Sequence, residues 1–201
     1  MQLIMAAASP FVRKVRVTVR EAGLAHRVTE VPVAASPMVP DPDAVSANPL
    51  GKIPTLIRED GPAIYDSRVI CRYLDDLAEA GLYPESRLWE VLTLEATADG
   101  IMEAAVLMVY EKRFKGDEGK NGEWIEAQWG KVTRALGVIE GRWMSHLSGK
   151  LTMGQIGVGC ALGYLDLRQP DRDWRAPVPA LAEWYSGFAE RESMTATVPV
   201  G

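Results

Sequence analysis

Short apolar runs and helix-spaced apolar positions alternate over roughly the first 80 residues, and only helix-spaced patterns follow. Gln2 to Ala6 is an apolar run that predicts a first strand. Ser9-Pro10 then opens a helix, because Ser is a favoured N-cap and Pro is tolerated at the first helical position. Val12, Val15, Val19 and Ala22 fall on one face of it, and Arg13, Lys14, Arg16 and Arg20 leave that face. Gly23 ends it, and Arg27 to Val31 reads as a second strand, giving a right-handed strand–helix–strand unit with parallel pairing. Residues 34–49 hold Pro37, Pro40, Pro42 and Pro49, which rules out a long regular helix. Thr55 to Arg58 and Ala63 to Tyr65 flank Asp60-Gly61, a hairpin signal. Asp66-Ser67 caps a further helix that buries Val69, Ile70, Tyr73, Leu74 and Leu77.

Beyond Leu82-Tyr83-Pro84 a long helix runs from Ser86 to Phe114, with Leu88, Leu92, Ala96, Met102 and Val106 among its apolar positions. Lys115 to Gly122 is a polar, glycine-bearing break. Helices follow from Glu123 to Leu147, from Thr152, and from Pro179 to Glu190. All six tryptophans lie in this second part, so the change of pattern coincides with a change of composition. The order β-α-β, loop, β-β-α predicts a small mixed sheet with helices packed on it over residues 1–80, and an all-helical domain over residues 85–201. The fold class is therefore α/β plus all-α.

Composition narrows the function. With 201 residues and 47% hydrophobic residues, a sizeable core is expected. A net charge of −5 without blocks of like charge argues against nucleic acid or an anionic membrane as the main partner. No apolar run approaches the roughly 20 residues of a spanning helix. The start lacks a basic segment before its short apolar run, so no signal peptide is expected. Cys71 and Cys160 lie far apart in apolar helical patterns and read as two buried thiols, with neither a disulfide framework nor a zinc site. A reducing cytoplasm fits best.

Four motifs, in order, carry a resemblance over the whole chain. They are Ser9-Pro10-Phe11, Asn48-Pro49-Leu50-Gly51-Lys52-Ile53-Pro54, Asp66-Ser67, and Thr152 with Gln155 opening the third helix of the second domain. Together they resemble the glutathione S-transferase family. The resemblance implies a thioredoxin-like N-terminal domain (βαβ-ββα) that binds glutathione, an all-helical C-terminal domain for the second substrate, and a homodimer. Thioredoxin itself carries C-x-x-C where this chain has Ser9 and Val12, so dithiol exchange at this site is chemically excluded. The closest likeness is to bacterial members that carry Ser-Pro-Phe-Val-Arg-Lys.

Each motif also has a plain structural reading. Ser9 alone reads as an N-cap, Pro54 as a strand-start proline, Asp66 as another N-cap, and Lys52 as a solvated lysine. The resemblance implies more. Ser9 donates its hydroxyl to the sulfur of glutathione as the catalytic residue, and Phe11 lies beside the tripeptide. Ile53 presents its backbone to the cysteinyl unit across an X-Pro bond that family members hold cis, like one added strand. Asp66 suits the γ-glutamyl ammonium, and Ser67, at a helix N-terminus, suits its carboxylate. Many members have the longer Glu at the position of Asp66. Lys52 reaches toward the glycyl carboxylate. Gln155 closes a capping box in place of Asp and is structural.

Glycines 157, 159 and 163 look like a dinucleotide fingerprint, but no strand precedes them, so they mark close helix packing and no nucleotide site is expected. The expected activity is a glutathione S-transferase of the detoxification type. It activates the thiol of glutathione, its co-substrate, for attack on a small hydrophobic electrophile, without metal or nucleotide. That electrophile would contact Met102, Val106 and Tyr110, which by themselves read more simply as core or interface residues. Two other readings stand beside this one: a non-catalytic binding protein on the same fold, and a glutathione-dependent oxidoreductase or lyase.

Overall fold

The structure, a computed structural model, describes residues 1–34 and 36–200. The chain forms two compact units, Met1–Arg87 with Glu192–Gly201, and Leu88–Arg191.

In the first unit, described strands form one sheet in the order β2-β1-β3. β1 (Gln2–Met5) pairs in parallel with β2 (Thr29–Pro32) and antiparallel with β3 (Thr55–Ile57). The parallel pair is the one the sequence predicts, but β2 begins later, because Ala25–Arg27 is a 3₁₀ turn. The predicted hairpin is reduced to a single bridge between Leu56 and Ile64. Pro62 has no N–H to give to a ladder, and Arg58 Nε closes the turn by donating to the Pro62 carbonyl at 3.1 Å.

Two helix faces differ from the sequence reading. Helix α1 (Pro10–Glu21) buries Val12, Val15 and Val19 as expected, but Arg13 and Lys14 are buried too. For Arg13 the cause is distant in sequence. The short helix α9 (Glu192–Thr195) packs on α1, and Arg13 Nη2 donates to the Met194 carbonyl at 3.1 Å. After the short α2 (Pro42–Ala47), helix α3 (Ser67–Ala78) buries Ile70, Cys71 and Leu74 but leaves Val69 48% exposed, so its inner face is turned from the predicted one. Asp75 belongs to that inner face. Its carboxylate accepts from the N–H groups of Leu82 (2.7 Å) and Tyr83 (3.2 Å) and pins the chain that follows.

The second unit is helical. α4 (Leu88–Gly119) is interrupted at Gly116, whose φ of 66° falls in the region glycine favours, inside the predicted polar break. α5 (Gly122–Arg142) and α6 (Met144–Leu147) divide at Trp143. α7 (Met153–Arg168) is buried on all sides for most of its length, and α8 (Pro179–Ala189) follows. A Cβ added to Gly154 would stand 2.8 Å from Leu94, and one on Gly157 would stand 3.2 Å from Ala98. These glycines let α4 and α7 approach closely, which is the packing role read from the sequence for Gly157. Among the described residues no helix is long and apolar enough to cross a membrane.

Candidate active site

Sheet pairing brings three separated motifs to one end of the first unit. Ile4 at the end of β1 pairs with Thr55 at the start of β3, so the loop leading to Ser9 and the Ile53-Pro54 segment share that end. The antiparallel bridge from Leu56 to Ile64 then runs the chain back toward it, delivering Asp66 and Ser67 beside Pro54. Each motif is therefore positioned by pairing among β1, β3 and the Ile64 bridge.

Ser9 is the N-cap of α1, in extended conformation, and its hydroxyl oxygen accepts from the Val12 N–H at 3.3 Å. That bond uses a lone pair and leaves the hydroxyl proton free to donate elsewhere. Capping and donation are thus compatible on one side chain. Phe11, in the first turn, is half-buried.

The segment before β3 is held by a residue whose role the sequence reading did not see. Asn48 is 1% exposed and bonds in several directions. Its Nδ2 donates to the Lys52 carbonyl (3.1 Å) and to Thr55 Oγ1 (3.3 Å), and its Oδ1 accepts from the Leu50 N–H (3.0 Å). Gly51 completes the turn with φ of 59°, where a Cβ would stand 3.1 Å from Pro40 and 3.3 Å from Val45. The Ile53-Pro54 bond is cis, and the Tyr65-Asp66 bond is cis as well. Ile53 stands outside the sheet pairing, which starts at Thr55, and Lys52 is exposed.

Asp66 caps α3, accepting from the Arg68 N–H at 3.0 Å, and its carboxylate also takes the Arg68 guanidinium at 2.8 Å. Burial alone would raise its pKa, but the Arg68 bonds and the positive charge of Lys14 outweigh this and hold it below the ordinary 3.8. Lys14, fully buried on α1, is thus an electrostatic neighbour of the α3 cap. Ser67 is buried at the first turn of α3, and among the described residues no hydrogen bond engages its hydroxyl. Neither Lys14 nor Arg68 was singled out from sequence. Arg68 had a signal, two residues after a capping acid; a buried Lys14 had none.

The three residues expected to meet the electrophile lie on α4 of the helical unit. Met102 is fully enclosed, a core residue, whereas Val106 and Tyr110 are half-buried. The Tyr110 and Phe114 rings lie 5.4 Å apart.

Known proteins agree with this architecture. Residues 8–77 match the glutathione S-transferase N-terminal domain, and residues 122–186 match the C-terminal domain of the same family. The GST-like protein YibF of Escherichia coli K12 is 31% identical over 99% of this chain and 98% of its own. A glutathione transferase family member from Pseudomonas fluorescens Pf-5, crystallised with bound glutathione, is 43% identical, with a TM-score of 0.96 over 100% of this chain and 99% of its own. Another structure from that bacterium, with bound S-(propanoic acid)-glutathione, is 42% identical at a TM-score of 0.91, covering both chains completely. With both family domains matched in order on a thioredoxin-like unit and a helical unit, the chain belongs to the glutathione S-transferase family.

Proposed function

We propose that this protein is a glutathione transferase in which Ser9 activates the thiol of bound glutathione for attack on a small electrophile. The observation that carries the reading is the Ser9 hydroxyl, placed at the N-terminus of α1 with one lone pair committed to the cap and its proton available. A free thiol ionises near 8.5, and lowering that by two units takes about 2.7 kcal/mol of preference for the thiolate. A hydrogen bond to a charged acceptor supplies about 1.5–3 kcal/mol, and the positive end of α1 adds about 0.3–1 kcal/mol. The sum reaches what is needed without another charged group. Ser9 is a donor here and forms no covalent intermediate.

The remaining cradle residues hold the tripeptide. Ile53 offers its backbone to the cysteinyl unit, and Phe11 packs beside it. The Ser67 hydroxyl and the N-terminus of α3 receive the γ-glutamyl carboxylate. Asp66 draws the ammonium while sharing its oxygens with Arg68, and exposed Lys52 faces the glycyl carboxylate. Bound glutathione in one relative from Pseudomonas fluorescens, and S-(propanoic acid)-glutathione in another, support this assignment of the co-substrate. The protein works as a cytoplasmic homodimer in detoxification, with Val106 and Tyr110 contacting the electrophile. Dithiol chemistry has no support at this site: Ser9 and Val12 carry no sulfur, and Cys71 and Cys160 are both buried.

Conjugation of glutathione to an activated aryl halide, measured for the wild type and Ser9→Ala, tests the reading. The wild type should conjugate, and the variant should lose about ten- to a hundredfold in kcat/KM while retaining its helical spectrum. Binding of glutathione without any conjugation by the wild type would favour a non-catalytic binding protein. Equal turnover by both proteins would remove Ser9 from the mechanism.

A further inference from the structure

Near the end of α7 the helical unit holds a positive charge that no carboxylate among the described residues neutralises. Its neighbours in sequence are paired: Arg172 with Glu126, and Arg175 with both oxygens of Asp166 at 2.6 and 2.8 Å. Arg168 is half-buried, its Nε is shut off from solvent with no hydrogen-bond partner, and among the described residues it has no carboxylate partner. Among the described residues two other buried side-chain nitrogens lack a partner, Arg13 Nε and Gln169 Nε2. Arg13 still donates through Nη2 to a carbonyl, so its charge is partly satisfied. Arg168 differs in having phenols beside it.

The register of α4 against α7 fixes what lies there. Gly154 meets Leu94 and Gly157 meets Ala98, so the two helices advance side by side in the same direction. In that direction Tyr164 and Arg168 follow along α7 as Val106 and Tyr110 follow along α4. The electrostatics agrees, since the Arg168 guanidinium hydrogen-bonds the Tyr164 phenol and both Arg168 and Tyr110 act on that phenol. Burial pushes that phenol up to about 12, so it keeps its proton and remains a donor at any physiological pH. A guanidinium and two phenols together make a donor-rich patch beside apolar Val106. Its complement is a planar acceptor with an apolar body, and a carboxylate fits the guanidinium fork with two parallel bonds.

Building on the transferase reading, we propose that Arg168, with Tyr110 and Tyr164, binds a carboxylate on the electrophilic substrate, so that the preferred electrophiles are small apolar acids. With a halogenated aryl acid the glutathione sulfur bonds to the ring carbon, chloride leaves with the electron pair of the broken C–Cl bond, and the thiol proton passes to solvent.

A chlorodinitrobenzoate and its neutral carboxamide, assayed with the wild type and Arg168→Met, separate this inference from the broader one. The loss in kcat/KM on the benzoate should exceed that on the carboxamide by roughly tenfold or more, mainly in KM. Tyr164→Phe, which removes one donor and keeps the ring, should raise the benzoate KM roughly threefold. It serves if the arginine variant fails to fold. Equal losses on both substrates would make Arg168 a packing residue and overturn the inference while leaving the transferase intact. If the wild type conjugates neither compound, the transferase reading falls. Tryptophan-fluorescence titration with chlorine-free dinitrobenzoate then still decides the carboxylate site: weaker binding by Arg168→Met supports it, and equal affinity overturns it.

Discussion

At Asp66 two demands meet on a single carboxylate. It caps α3, and it carries the Arg68 guanidinium across its outer edge. A glutamate would reach one methylene further; the aspartate stays close to the helix it caps, and Arg68 fills the space beyond it. Because Asp66 titrates below 3.8 when folded, its contribution to stability is complete above that value and is lost as pH falls through the lower folded value. Its side chain is 53% exposed, so solvent screening keeps that contribution small. Arg68→Met keeps the burial that raises the pKa and the cap bond from the backbone N–H of residue 68, and removes the guanidinium bonds and charge that lower it. The Asp66 carboxyl carbon, followed by NMR against pH, should then titrate at a higher pH than in the wild type. An unchanged midpoint would show that Arg68 does not hold the group ionised. The acid and the helix it caps were plain in the sequence, since Asp before a helical pattern is a strong local signal. The fully buried Lys14 was not, because a lysine between arginines on an outward-reading face gives no sign that another element will cover it.

Among the elements, α7 combines a legible start with an interior that sequence reads only in part. Thr152 and Gln155 announce the cap, and the structure shows why glutamine suits the position. Gln155 Oε1 accepts from the Thr152 N–H at 2.8 Å, as an aspartate oxygen would. Its Nε2 also donates to the carbonyls of Lys150 (2.8 Å) and His146 (3.2 Å), which no carboxylate can do. One side chain thus caps the helix and fastens the loop leading into it. Gln155→Ala removes both and leaves buried partners unsatisfied, so it should cost about 2–4 kcal/mol in urea unfolding. Gln155→Asp should recover the cap alone and fall between the two. Equal stability of the aspartate variant and the wild type would show that the loop bonds contribute nothing. Periodicity located α1, α3, α4, α5, α7 and α8, because long amphipathic or capped segments announce themselves. It misjudged the inner face of α3, where Val69 is exposed and Asp75 turns inward: an acid satisfied by Leu82 and Tyr83 breaks the equation of polar with outside.

Across the whole molecule, the candidate site was legible as three local motifs but not as one place. Ser9, Ile53-Pro54 and Asp66-Ser67 converge through pairing among β1, β3 and the Ile64 bridge, and pairing partners are non-local information. Asn48 stands within a recognisable motif, yet its function as the hub of that turn depends on Thr55 and Lys52 folding over it. The end of the chain follows the same logic. The sequence places the chain's end in the helical domain, whereas α9 packs on α1, with Met194 fully buried and Ser193 bonded to Glu21. The helix that carries Ser9 is therefore supported by residues more than 170 positions away. Truncating an enclosed methionine removes its packing and leaves a cavity, so Met194→Ala should cost about 2–5 kcal/mol. Val198 is 57% exposed, and Val198→Ala should change stability by no more than about 0.5 kcal/mol. Thermal unfolding of the two variants beside the wild type makes the comparison. A large loss confined to Met194→Ala is the outcome expected if the chain's end supports α1, and indistinguishable melting curves for the two variants would refute that support.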